Sequence, residues 1–316
     1  MIQKSLSWLL AVTALPVLAG EIKFEEHTLS NGLKVILHQD TTKPVVAVNI
    51  MYHVALRTSS PTARLCPFFE HLMFEGTEHI DRGQYFKMIQ NAGGKMNAFT
   101  TFDKTNYYEI LPSNQLELGL WMEAERMRSL KIDSVGVETQ RSVVKEERRS
   151  RYENQPYGSV VEETFKRAFQ EHPYKWVPIG HVQYIDEAQL DEFLAFHDHF
   201  YVPENAVLAV AGDIEPAKTL ELINYYFGDI PAGNHKIYRP SPNEPVMAQE
   251  IRDTILDNIQ LPGLFMSYHM PAQGTDDYYA LQMLQNLLSG GESSRLYKAL
   301  VDSSQLAVQV SAIPFG

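Results

Sequence analysis

The sequence is poor in cysteine, in positive charge and in long apolar runs, and each shortage excludes a class of protein. A single cysteine, Cys66, excludes an internal disulfide and a cysteine-rich zinc site. Lysine and arginine number 27 against 39 aspartates and glutamates, which gives a net charge of −12. With no long basic run, this balance argues against nucleic acid as a partner. The 316 residues are 44% hydrophobic, which is ordinary for a globular protein of about two domains.

The N-terminus carries the most sustained apolar run of the chain. Lys4 precedes apolar residues at positions 6–18, and the small residues Ala19 and Gly20 follow them, a pattern typical of a secretory signal peptide. The run is too short to span a bilayer comfortably. We therefore predict a signal peptide over residues 1–20, a periplasmic or secreted location, and no membrane segment after its removal.

The remaining chain mixes strand and helix patterns. Strands are predicted in a hairpin over residues 25–40, turning at Asn31-Gly32, and over 45–52, 97–102, 106–110, 206–212, 264–268 and 306–312. Helices are predicted over residues 68–76, 85–91, 114–130, 135–152, 161–169, 190–200, 216–227, 276–288 and 294–300. This mix indicates the α+β class, with helices packed on an antiparallel sheet.

A stretch rich in proline divides these patterns into two parts. Residues 231–245 hold four prolines and Gly233, with no hydrophobic period, which is typical of a linker. We expect a first domain over residues 21–232, a linker over 233–250 and an incomplete second domain over 251–316. The last segment is too short to bury a core by itself.

The most informative motif lies in the predicted helix at residues 68–76. Glu70 and His71 stand side by side in an apolar run, and a helix would place them away from its buried face. They match the last two residues of the inverted zincin signature H-x-x-E-H. The first histidine of that signature is replaced by Pro67. Alone, a Glu-His pair in an apolar helix is more often structural than metal-binding, and Pro67 would then be an ordinary first-turn proline.

Several further motifs resemble the pitrilysin/insulinase family of zinc metallopeptidases, in its bacterial, processing-peptidase-like branch. The resemblance runs from about Phe24 to the last residue. The matching segments are residues 29–33, 68–77, 97–100 with Asp103, Thr105 and Tyr107, 143–149, 172–174, 179–180, 201–205, 212–213 and 288–296. The family's fold implies two similar α+β halves that face each other as a clamshell, with the second half truncated here.

The resemblance implies a role for seven residues. Glu70 would be the catalytic base, and His71 with Glu147, which follows it by 76 positions, would bind Zn2+. The alternative to a metal-binding role for Glu147 is that the charged residues 146–149 only form a solvated helix face. The substrate peptide would add as a strand along Asn97, Ala98, Phe99 and Thr100, which could equally be an ordinary half-buried strand. Gln140 stands where some relatives carry a glutamate.

Pro67 leaves two interpretations open, because proline has no side-chain donor and a catalytic zinc takes three protein ligands. The first is an exported metalloendopeptidase whose zinc is weakened or lost. The alternative is a non-catalytic peptide-binding or partner subunit of an active peptidase of the same family. Under either interpretation, the expected partners are a peptide substrate and a second copy of the chain or a sister subunit. Residues 64–67 can also be back-translated as CGG-CTT-TGC-CCA, which one base over reads Gly-Phe-Ala-His. Pro67 could therefore reflect a frame error in the gene sequence.

Overall fold

One six-stranded sheet organises the first two thirds of the chain. The computed structural model describes residues 22–55, 65–180, 182–233, 236–237, 239 and 244–315. The predicted signal peptide and residues 56–64 lie outside them. The strands are β1 (Glu25–Thr28), β2 (Lys34–Gln39), β3 (Val45–Tyr52), β4 (Lys95–Thr100), β5 (Thr105–Pro112) and β6 (Ala206–Gly212). They lie in the order β1-β2-β6-β3-β5-β4, which leaves β1 and β4 at the edges.

The first hairpin forms where the sequence predicts it. β1 and β2 pair antiparallel, from Glu25 opposite Leu37 to Thr28 opposite Lys34. Gly32 adopts a φ of +89°, a conformation that glycine reaches without strain. The Asn31 side chain donates to the carbonyl oxygens of Phe227 at 2.7 Å and Ile230 at 2.9 Å. The turn is therefore fixed to a distant part of the domain as well as to its own strands.

The sheet differs from the expected antiparallel arrangement in one pair of strands. β6 runs antiparallel to β3 but parallel to β2. β6 enters the sheet after a long connection of helices, and such a connection permits parallel pairing, whereas a tight hairpin does not. On β3, Val46, Val48 and Ile50 are fully buried and alternate with less buried residues. One face of the sheet therefore supplies much of the core.

Helices cover this sheet and complete the α+β fold. They are α1 (Cys66–Leu72), α2 (Gln84–Asn91), α3 (Leu116–Arg128), α4 (Ser134–Arg148), α5 (Val160–Ala168), α6 (Val182–Glu187), α7 (Leu190–Phe200) and α8 (Pro216–Phe227). α3 packs on β3 and β5. A Cβ at Gly119 of α3 would lie 2.9 Å from Leu111 and 3.1 Å from Val48. The close approach of α3 to the sheet therefore depends on glycine.

The C-terminal segment, residues 244–315, differs from the expectation. α9 (Asp276–Ser289) forms as predicted, and Tyr297–Ser303 forms a π-helical turn in the region of the second predicted helix. The strands predicted at 264–268 and 306–312 are wrong, because both stretches are irregular. A strand needs a hydrogen-bonding neighbour, and among the described residues neither stretch has one. Within the described ranges, no helix combines the length and the apolar character that crossing a bilayer requires.

Candidate metal and peptide site

Helix α1 buries one apolar face in the core and carries Glu70 and His71 outside that face. Phe68, Phe69 and Leu72 are buried, and the Phe69 ring lies 4.9 Å from Phe196 and 4.7 Å from Tyr201. The helix begins with proline in its first turn and ends at Leu72, earlier than predicted. These aromatic contacts fix the helix, so the two polar side chains project in one defined direction.

The structure brings His71 and Glu147 together. The Nε2 atom of His71 lies 3.0 Å from Oε2 of Glu147, although 76 positions separate them. Glu147 sits near the end of α4, whose N-cap, Asp133, accepts a 2.8 Å hydrogen bond from the Gly136 amide. α1 and α4 pack directly on each other. Packing of these two helices therefore creates the pair that the spacing predicts.

The two partners shift each other's protonation. The hydrogen bond from His71 is the main cause that lowers the pKa of Glu147. Burial works against a charged His71 ring, but the hydrogen bond and charge of Glu147 outweigh it and raise the pKa of His71. Arg151 also contacts Glu147, at 2.8 Å. The contact thus favours an anionic Glu147 carboxylate and makes the His71 ring easier to protonate.

Glu70 points to the sheet rather than to the His71–Glu147 pair. The Thr100 hydroxyl, on β4, donates a hydrogen bond to Oε2 of Glu70. Burial of Glu70 raises the pKa of its carboxyl group, and the Thr100 hydrogen bond offsets only part of this effect. A carboxylate with a raised pKa holds a proton more readily, which suits a general base that must later return it.

Three of the four residues predicted to bind peptide line the accessible edge of the sheet. β4 pairs with β5 on one side and forms the sheet edge on the other. Asn97 is exposed, Ala98 is partly exposed and Phe99 retains 42% of its accessible surface. Oδ1 of Asn97 accepts a 2.9 Å hydrogen bond from the Ala98 amide. Thr100 instead turns to Glu70, so β4 connects an accessible strand edge to the predicted base.

Gln140, which the sequence singles out, lies beside His71 and donates to Oε1 of Glu75 at 2.6 Å. Sequence reasoning missed Glu75, which is buried and pairs with Arg82. Arg82 also contacts Asp133 at 2.6 Å. Gln140 lies two turns before Glu147 and shares its face of the helix. Such partners orient a histidine ring and determine which nitrogen faces the site.

The residues present do not fit a complete catalytic zinc site. His71 and Glu147 supply two donors, and position 67 is a buried proline. Within the part of the chain that the structure describes, no three histidine, cysteine, aspartate or glutamate side chains are arranged to hold a metal ion. A catalytic zinc takes three protein ligands, so the donor set is one short.

Comparisons with known proteins identify the family. The model of the insulinase family (peptidase family M16) matches residues 34–176, and that of the peptidase M16 inactive domain matches residues 187–315. The zinc protease PqqE of Helicobacter pylori is 33% identical over 292 residues, covering 91% of this chain and 66% of that protein. An uncharacterized zinc protease of Mycobacterium tuberculosis is 26% identical and covers 90% of this chain and 65% of the relative.

Solved structures agree with this result. The crystal structure of a protease from Helicobacter pylori matches with a TM-score of 0.78 and 30% identity, covering 92% of this chain and 70% of that one. The first half of the periplasmic protease PqqL from Escherichia coli matches in fold, with a TM-score of 0.61 and 22% identity over 70% of this chain and 50% of that one. This chain spans about two thirds of the length of the curated relatives. It belongs to the insulinase family of zinc proteases, peptidase family M16.

Proposed function

We propose that this protein is an exported metalloendopeptidase that binds extended peptides along β4 and whose metal centre needs a third donor directly before Phe68. The observation that carries the proposal is the 3.0 Å approach of His71 and Glu147, beside a Glu70 carboxylate held by Thr100. An inverted zincin requires these residue types together.

The side chains present suit two parts of peptide hydrolysis. The β4 edge offers backbone hydrogen-bonding groups to a peptide that adds as a further strand. Glu70, at the end of that strand, has a raised pKa and can hold a proton during a reaction. Asn97, Ala98 and Phe99 would contact the peptide, and Thr100 would position Glu70.

A frame error before Phe68 would explain the missing donor. Codons can be chosen for residues 55–67 such that three short runs of identical bases each lack one base. Adding one base to each run gives the sequence Gly-Ala-Pro-Asp-Glu-Gln-Pro-His-Arg-Thr-Gly-Phe-Ala-His. This reading adds one residue and places a histidine one helical turn before His71. Sequencing the gene across codons 54–68 tests it. Additional bases in this stretch support the proposal, whereas an unchanged sequence makes Pro67 genuine.

The effect of the missing donor can be measured directly. We expect Pro67→His to bind about one zinc per chain, because positions 67 and 71 share a helix face and Glu147 supplies the third ligand. Pro67→Ala is the matched control, since it removes the proline without adding a donor, and should bind no zinc tightly. Metal content after dialysis measures both variants. Equal zinc content in the two variants would contradict the proposed centre.

Catalysis is tested in a separate experiment. A Pro67→His protein should cleave unstructured peptides, and the added change Glu70→Gln should abolish cleavage while zinc remains bound. A zinc-loaded protein that cleaves nothing, with or without Glu70→Gln, would instead favour the second candidate, a non-catalytic partner of a sister subunit. The observation that favours this candidate is Pro67 itself.

The proposed location rests on the first 20 residues. A signal peptide over residues 1–20 would export the chain, and PqqL of Escherichia coli, which shares the fold, is described as periplasmic. Mass spectrometry of the mature N-terminus tests the proposal. We expect it to start at or next to Gly20, and an intact Met1 on the purified protein would contradict export. We also propose that the first domain ends at residue 232 and that the second begins at residue 251.

A further inference from the structure

Three consecutive backbone amides of the first half bind one carboxylate of the predicted linker, Glu244. The amide nitrogens of Gln170, Glu171 and His172 lie 2.6, 3.0 and 2.7 Å from the carboxylate oxygens of Glu244. These amides follow the end of α5, more than 70 positions before Glu244 in the chain. Successive amides that converge on one point form a concave anion-binding site.

The protonation of Glu244 agrees with this geometry. Burial works to raise the pKa of its carboxyl group, but the hydrogen bonds from Gln170, His172 and Glu171 outweigh burial and lower it. The charge of His269 acts in the same direction. Glu244 is therefore anionic at neutral pH, and each of the three contacts is a charge-assisted hydrogen bond.

Further contacts extend this attachment along the same short stretch. Arg167 lies on α5, just before the three amides in the chain, and its guanidinium donates a 2.9 Å hydrogen bond to Asp253. The His269 ring stacks on Phe169 at 5.1 Å, and its Nε2 atom lies 2.6 Å from the Ala168 carbonyl oxygen. Residues 167–172 thus hold three separate points of the segment 244–269. Such spacing of contacts fixes the path of a segment that has no regular structure of its own.

We propose that Glu244 is a latch that fixes the start of the second half of the clamshell against α5 of the first half. The inference concerns the relative position of the halves and is independent of zinc and of catalysis. Glu244 lies in the predicted linker between the halves, so its release would free this hinge region. Hinges are commonly a few residues that join packed bodies, and a latch beside one limits their opening.

Two matched substitutions distinguish the specific contact of Glu244 from the effect of the segment's net negative charge. Glu244→Gln keeps the side-chain shape but removes the charge and turns one acceptor into a donor that faces the amides. Glu250→Gln is the matched control, because Glu250 is exposed and contacts Arg252, a neighbour in the same segment. Hydrogen–deuterium exchange of the amides at 170–172 reports the contact directly.

We expect exchange at residues 170–172 to accelerate about tenfold in Glu244→Gln, as loss of charge-assisted hydrogen bonds implies, and to be unchanged in Glu250→Gln. Amides of β3 and β5 serve as the internal reference and should keep their protection. Trypsin or chymotrypsin should also cut residues 249–274 faster in Glu244→Gln than in Glu250→Gln.

Three outcomes would overturn the latch. The first is unchanged exchange at 170–172 in Glu244→Gln. The second is an equal effect of Glu250→Gln, which would assign the change to net charge. The third is faster exchange throughout β3 and β5, which would mean that Glu244 supports the whole fold rather than a local attachment. Each outcome leaves the zinc-binding result of Pro67→His unaffected, so failure of the latch is distinguishable from failure of the proposed function.

Discussion

β3 and the segment 264–268 carry similar apolar residues but have opposite surroundings. On β3, Val46, Val48 and Ile50 are completely buried between β5 and β6. In the second segment, Leu264 and Tyr268 retain 84% and 81% of their accessible surface, and the backbone is irregular. An apolar strand pattern therefore becomes a strand only where neighbouring strands complete its hydrogen bonds and cover its side chains.

The two regions also differ in where they place their ionisable side chains. Glu109, Glu123 and Arg126 are completely buried in the first half, and Arg126 lies 3.1 Å from Glu123 and within 4.5–4.9 Å of the rings of three aromatic residues. In the C-terminal segment the ion pairs are solvent-exposed, as between Arg252 and Glu250. Buried charges are costly to break apart, whereas exposed pairs contribute little.

Limited proteolysis should give the largest difference between the regions. Because residues 249–274 are irregular and exposed, chymotrypsin should cut there, near Leu256, Leu264 or Tyr268, orders of magnitude faster than within the sheet. Mass spectrometry of early fragments measures this. If residues 249–274 are cut no faster than β3, the segment is as well protected as the sheet and the contrast between the two regions is wrong.

Matched truncations should give the next largest difference. Phe69→Ala removes a fully buried ring from the core and should lower the free energy of unfolding by about 3–5 kcal/mol. Leu264→Ala removes an exposed side chain and should change it by less than about 0.5 kcal/mol. Urea unfolding followed by circular dichroism measures both. Similar losses for the two variants would show that residue 264 packs in a second core.

A third difference between the regions concerns the pH dependence of stability. Burial, followed by the charge of Glu123, raises the pKa of Glu109 well above its usual 4.5. The folded state therefore binds more protons than the unfolded chain above pH 4.5, and the contribution of Glu109 to stability is lost as pH rises. Glu109→Gln should remove this decline, by up to about 1.4 kcal/mol per pH unit.

Asp302→Asn changes an exposed carboxylate of the C-terminal segment and serves as the control. It should leave the slope of unfolding free energy against pH as in the unchanged protein. Urea unfolding at a series of pH values from 5 to 8 provides the measurement. If Glu109→Gln and the unchanged protein give the same slope, Glu109 does not carry the buried proton.

Local sequence patterns determined much of the secondary structure and one distant contact. The turn at Asn31-Gly32, β3 and α9 follow from turn chemistry and hydrophobic periodicity, which act between neighbouring residues. The family spacing placed Glu147 next to His71, and the structure brings the two side chains into contact. Their roles as metal ligands, and those of Glu70 and Asn97 in catalysis and peptide binding, remain predictions.

Tertiary structure alone decided the features that depend on long-range packing. The parallel pairing of β6 with β2, the turn of Thr100 to Glu70 and the attachment of Glu244 to residues 170–172 join positions that no local pattern relates. The same reason accounts for the missing strands at 264–268 and 306–312, because strand pairing is a property of two segments and not of one. Local patterns show which residue types could form the site, and packing of α1 on α4 and β4 brings His71 to Glu147 and Glu70 to Thr100.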